Sequence, residues 1–142
     1  MRGGTAYISG ALTGLSDPVS ARRYYELLAT VCQEAGMAAY LPHRENDPVL
    51  HADVPASVVY QRDLVHLQAS DVVVAHVGAP SLGVGAELAL AVAAGIDIVA
   101  VRRPAEPHSR FVAGMLEEGG AHFIVASDID LPTELLRAIL GV

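Results

Sequence analysis

The chain has 142 residues, 52% of them apolar, with a formal charge of −7 and a single cysteine. That length predicts one domain spanning residues 1–142 with one substantial core. An acidic balance without any block of like charges argues against a polynucleotide or a basic membrane-binding patch, whereas a small anion held by local backbone donors stays open. Cys32 alone can form neither an intramolecular disulfide nor a multi-cysteine metal motif. No apolar run reaches the roughly 20 residues that cross a bilayer, and the opening residues lack a basic start followed by a long apolar stretch. A cytoplasmic protein without a signal peptide is expected.

Thr5 to Ser9 predicts a first strand, followed by the glycine-bearing loop Gly10-Ala11-Leu12-Thr13-Gly14. Asp17-Pro18 is a cap followed by proline in a first helical turn, and Tyr24, Leu27, Leu28, Val31 and Cys32 recur at helical spacing until Gly36 ends the helix near Ala35. Met37 to Leu41 is a second strand. From Pro42 to Pro55 no period survives, and three prolines predict the longest loop. His43, Asp47, His51 and Asp53 in that loop are metal-donor types, but no rigid element fixes their geometry; a solvated loop explains them, and no metal site is expected.

Ser57 to Ala69 predicts a second long helix carrying Asp63, which by itself reads as a solvated surface charge. Asp71 to Val77 has the near-continuous valine run of a parallel strand buried on both faces. A Pro80-Ser-Leu-Gly-Val-Gly85 turn leads into the Ala/Leu-rich helix Ala86 to Ala94. Asp97 to Val101 is a fourth strand, Arg102 to His108 a loop, Ser109 to Glu118 a helix and His122 to Val125 a fifth strand. Leu131 to Leu140 closes the chain as a helix, with Asp130 expected to cap it.

Strands alternating with helices predict an α/β fold, a doubly wound five-stranded parallel sheet of order 2-1-3-4-5 in the Rossmann/flavodoxin-like class, because parallel neighbours require right-handed crossovers. Ligands of such sheets bind beyond the strand carboxyl ends at the switch point, here between the first and third strands. Gly10 to Gly14 and Pro80 to Glu87 both fall there. Gly83 and Gly85 allow bare backbone to approach a ligand, and the first N–H groups of the helix suit an anion. Glu87 alone reads as an ordinary complement to the helix dipole. The chain lacks G-x-G-x-x-G after its first strand, the G-x-x-x-x-G-K-[ST] phosphate loop and a G-x-S-x-G elbow, which disfavours dinucleotide oxidoreductases, nucleoside triphosphatases and serine hydrolases.

The segment D-L-V-H-L-Q-A-S-D-V-V-V-A-H-V-G-A-P-S-L-G-V-G-A-E-L-A-L-A, Asp63 to Ala91, together with Tyr7-Ile8-Ser9-Gly10, resembles the signature of 2'-deoxynucleoside 5'-monophosphate N-glycosidases, within the nucleoside 2-deoxyribosyltransferase superfamily. The resemblance implies that Glu87 attacks the anomeric carbon, that Asp63 protonates or orients the departing base and that Tyr7 fixes the nucleophile. It also implies phosphate and sugar contacts from Ser81, Gly83, Gly10, Leu12 and Thr13. At the Ser81 position, relatives acting on unphosphorylated nucleosides carry aspartate, so serine favours a 5'-monophosphate. Relatives have arginine at the Thr13 position, and a serine lent by a neighbouring subunit is replaced near Ala113; Ser109 or Arg110 stands close enough in sequence to compensate. The resemblance further implies a homodimer, a small-molecule nucleotide substrate and no cofactor, since water completes the reaction. A deoxyribosyltransferase and a non-catalytic nucleotide-binding domain are the alternatives.

Overall fold

A computed structural model describes residues 3–46 and 50–141. In chain order the elements are β1 (Thr5–Ser9), α1 (Pro18–Glu34), β2 (Ala38–Tyr40), α2 (Pro42–Asn46), α3 (Ala56–Gln68), β3 (Val72–His76), α4 (Leu82–Ala93), β4 (Asp97–Arg102), α5 (Arg110–Glu118), β5 (His122–Val125) and α6 (Leu131–Ile139). The strands form one sheet of order β2-β1-β3-β4-β5 in which every neighbouring pair is parallel. This is the topology expected from the alternation of strands and crossover helices.

Each strand sends alternate side chains to opposite faces. Ala6, Ile8, Val72, Val74, Val99 and Val101 meet Tyr24, Leu28 and Val31 of α1 and Leu131, Leu135 and Ile139 of α6. Tyr7, Val73, Ala75, Ile98 and Ala100 meet Leu67 of α3, Val84, Leu88 and Ala91 of α4, and Leu116 of α5. Covering both faces explains why all five residues of β3 are buried and why its sequence runs Val-Val-Val-Ala rather than alternating. Cys32 lies in the first of these layers, where burial pushes its thiol up to about 12 and makes it inert.

The helix termini follow local chemistry. The Asp17 carboxylate accepts from the Ser20 N–H and caps α1, and Gly36 takes the left-handed conformation (φ +86°) that ends it. Three expectations are corrected. The turn after β3 is shorter than Pro80 to Gly85: Ser81 caps α4, which begins at Leu82, so Gly83 and Gly85 lie inside the helix rather than before it. The Pro42 to Pro55 stretch is not one irregular loop: Pro42–Asn46 folds as α2, one short turn that a period search is too coarse to see and that proline's fixed φ favours at its first position. Asp130 does not cap α6, because its backbone is already helical (φ −87°, ψ −23°) and its side chain makes no capping bond. Ser127 serves instead, its carbonyl accepting from the Asp130 and Leu131 N–H groups. Asp47, one of the loop's potential metal donors, lies outside the described residues. Among the described residues no helix is long and apolar enough to cross a membrane.

Candidate active site

A cavity of about 480 Å³ opens at the carboxyl ends of β1 and β3, the switch point of the sheet. Gly10, Leu12 and Thr13 from the loop after β1, Asp63 from α3, and Ser81, Gly83 and Glu87 from the start of α4 all line it. Tyr7 is not part of the wall, and Gly85 faces the neighbouring cavity instead. Tyr7 is fully buried behind Glu87, to which its hydroxyl donates.

Glu87 is held at both carboxylate oxygens. Tyr7 donates to Oε2 and the fully buried Ser9 donates to Oε1 at 2.9 Å. Residues two apart on a strand share a face, so β1 places both donors under the one turn of α4 that carries Glu87. Burial raises the Glu87 carboxyl to about 6, and the nearby Asp63 charge adds to that; the two hydroxyl bonds favour the ionised form and limit the rise. At neutral pH the group is therefore an oriented carboxylate in a partly dry site. Burial and the negative charges of Glu87 and Asp63 raise the Tyr7 hydroxyl, which keeps it protonated and a donor.

Asp63 has its own support. The Tyr40 hydroxyl donates to its Oδ1 at 3.0 Å. Tyr40 lies beside Tyr7 in the β1–β2 register, with ring centroids 5.5 Å apart, and its other face stacks on the His66 imidazole at 3.9 Å and 7°. His66 sits three residues after Asp63 on α3, so the helix presents the carboxylate and the stacking partner on one side.

The two loops are fitted differently. A Cβ on Gly10 would collide with the Tyr25 ring, whose hydroxyl donates to the Ala11 carbonyl at 2.8 Å, so glycine is required for Tyr25 to prop this loop. At Gly83 a Cβ would meet no protein atom nearer than 3.9 Å, and at Gly85 none within 4 Å, so the protein's own packing does not demand glycine there. Ser81 caps α4, its Oγ accepting from the Val84 N–H at 3.2 Å, which leaves the hydroxyl proton to donate elsewhere. The start of α4 thus combines unpaired N–H groups, a free hydroxyl proton and room for an anion.

Ser109 and Ala113 do not reach this cavity. They line a neighbouring one of about 320 Å³, between α4, α5 and β5, and Ser81 stands in the wall of both. The Ser109 Oγ accepts from the Val112 N–H as the cap of α5, and Arg110 begins that helix on the exposed surface. The loop donors are likewise dispersed: His43 Nε2 meets Glu26 Oε1 at 2.9 Å, and Glu26 also binds Arg44. Among the described residues no group of three or more His, Cys, Asp or Glu side chains is arranged to hold a metal.

Sequence reasoning missed Ser9, Tyr40, His66 and the cavity-lining Tyr60. Ser9 was accessible through its two-residue spacing from Tyr7, and Tyr60 and His66 through their three-residue spacing either side of Asp63. Nothing local marks Tyr40, whose partner lies 23 residues on. A buried polar group on the other sheet face was also missed. His76 Nε2 meets Glu106 at 3.0 Å, and Arg103, paired with Asp128 at 2.7 Å, lies 4.2 Å over the Tyr24 ring. This group packs the loop after β4 against the end of β3.

The chain is similar to proteins of known family. The profile described as nucleoside 2-deoxyribosyltransferase matches residues 6–132. A Thermofilum pendens protein, provisionally named 2'-deoxynucleoside 5'-phosphate N-hydrolase 1, is 30% identical over 116 residues, covering 80% of each chain. The mouse (Mus musculus) 5-hydroxymethyl-dUMP N-hydrolase is 54% identical over a 46-residue segment, 32% of this chain and 27% of the mouse protein. Among solved structures, the Clostridium botulinum CMP N-glycosidase superimposes with a TM-score of 0.68 at 16% identity, over 92% of this chain and 97% of the other.

Proposed function

Since this chain belongs to the nucleoside 2-deoxyribosyltransferase family, we propose that it is a hydrolase that cleaves the N-glycosidic bond of a nucleoside or 2'-deoxynucleoside 5'-monophosphate. Free base and the sugar 5-phosphate are the products. The observation that carries this reading is Glu87, held through both oxygens by Tyr7 and Ser9 in a cavity that it shares with Asp63 and the N-terminus of α4. The names of the Thermofilum and mouse relatives, both N-hydrolases of nucleotides, support it.

In this reading the 5'-phosphate sits on the Ser81 hydroxyl and the Gly83 backbone at the start of α4, where the helix dipole favours negative charge. One Glu87 oxygen attacks C1' as the bond to the base breaks, and its charge stabilises the oxocarbenium-like transition state before a glycosyl ester forms. Asp63 orients the departing base and, as general base, takes a proton from the water that hydrolyses the ester and passes it to that base. Tyr7 and Ser9 hold the attacking carboxylate in one orientation throughout. No cofactor enters this sequence. A homodimer that covers α5, whose Phe111 is 82% exposed, and a cytoplasmic location beside the nucleotide pool belong to the same proposal.

The test is a panel of nucleoside 5'-monophosphates incubated with wild type and with Glu87→Ala, base release being followed by chromatography. A loss of about three orders of magnitude or more is expected for loss of a nucleophile. Equal rates in the two proteins remove Glu87 from the reaction. Family membership also favours a transferase, which would exchange an added acceptor base faster than it hydrolyses. Full recovery of the nucleotide, with binding intact, would instead assign a non-catalytic role.

A further inference from the structure

Resting on the nucleotide reading of this cavity, we propose that Tyr60 is the platform on which the nucleobase stacks. Tyr60 lies on α3 three residues before Asp63, so the two side chains share a helix face about 5–6 Å apart at their Cβ atoms. A carboxyl that protonates the departing base must stand within hydrogen-bond reach of it. The base ring then falls within one helical turn of Tyr60, while the phosphate end lies toward Ser81 and Gly83 on α4.

Among the described residues Tyr60 is the single aromatic side chain lining the cavity. Tyr7 is fully buried behind Glu87, and Tyr40 is committed to Asp63 and His66. Tyr60, by contrast, is 58% exposed at the cavity rim. Its surroundings suit a flat apolar ring: Leu64 follows it by one turn of α3, and Leu12 and Pro42 also line the cavity. Every base has a π-face, so such a platform binds bases by stacking rather than by reading their edges. Because the contact exists equally in the ground and transition states, it sets KM more than kcat.

The experiment measures calorimetric affinity in a Glu87→Gln background, which keeps the ligand intact, for 2'-deoxyadenosine 5'-monophosphate and for 2-deoxyribose 5-phosphate, which has no base. Adding Tyr60→Ala is expected to weaken the nucleotide about ten- to a hundred-fold, as loss of one base–aromatic stack does, and to leave the sugar phosphate within about two-fold. Tyr60→Phe, which keeps the ring, should bind the nucleotide within about two-fold of the parent. Equal weakening of both ligands, no weakening of either, or a loss in Tyr60→Phe matching that in Tyr60→Ala overturns the proposal. Failure of the underlying reading looks different: Glu87→Gln alone would release base at the wild-type rate, or the nucleotide would not bind in any background, and the platform would fall with it. Tyr60 is exposed, so the variants should fold, and matching thermal midpoints would check this.

Discussion

Burial and charge compete at Glu87, and the balance decides when the proposed nucleophile is ionised. The dry site pushes its carboxyl up to about 6, while Tyr7 and Ser9, donating to the two oxygens, pull against that shift. A protonated carboxyl cannot attack C1', so base release should rise with pH through an acid limb centred near 6. Tyr7→Phe keeps the ring in its buried place and removes one hydrogen bond to the charged form. Such a bond is worth about 1.5–3 kcal/mol, so the limb should move up by about one pH unit or more, and kcat at neutral pH should fall with it. The pH–rate profiles of the two proteins from pH 4.5 to 8 make the comparison. A limb that stays in place would show that Tyr7 does not set the charge of Glu87.

Single elements explain both what the sequence disclosed and what it concealed. The valine run of β3, the Asp17 cap and Gly36 at the end of α1 each declare themselves through one turn or one strand of chemistry, so the sheet order was legible. Glu87 and Asp63 read locally as ordinary helix charges and were singled out only by the family resemblance. The bond from Tyr40 to Asp63 joins residues 23 positions apart, and no local pattern encodes such a meeting, whereas Ser9, 78 positions from Glu87, could be reached only through its shared strand face with Tyr7. Asp130 misled because its residue type suits a cap while its backbone is already in the helix. Ser81 combines its role as the cap of α4 with the ligand role proposed for it, and a substitution can separate them. Aspartate caps a helix about as well as serine, so Ser81→Asp should leave the thermal midpoint within about 2 °C of wild type. The added carboxylate would repel a phosphate at the same turn, raising KM for the nucleoside 5'-monophosphate about ten-fold or more at low salt. The rate on the unphosphorylated nucleoside should change much less, and steady-state kinetics on the matched pair would show the split. Equal effects on both substrates would move the phosphate away from this turn.

Across the whole molecule, the doubly wound sheet buries its hydrophobic layers on two faces and leaves the carboxyl ends of β1 and β3 open, so the site is carved where packing is least complete. That placement has a cost in stability with a definite sign. Glu87 has its folded pKa raised from 4.5 to about 6, so the folded state binds the extra proton in that window. Its contribution favours folding below about 4.5 and is lost as pH rises through about 6, a difference of up to about 2 kcal/mol. Glu26 and Glu106 act in the opposite sense. Hydrogen bonds from Arg44 and His43 lower Glu26; burial opposes ionisation of Glu106, but the Arg103 N–H, His76 and the Arg103 charge hold it below the usual range. Their contributions are present above 4.5 and fade as acid protonates them. Glu87→Gln removes only the first effect. The variant should therefore melt higher than wild type at pH 7.5, by about 4–8 °C if the full 2 kcal/mol is recovered in a domain of this size. The gap should close as the pH falls to about 4, where both proteins carry a neutral side chain at residue 87. Calorimetric melts of the pair at four or five pH values test this, and a gap that is absent at pH 7.5 or that widens in acid would mean that Glu87 is not the strained carboxylate of this fold.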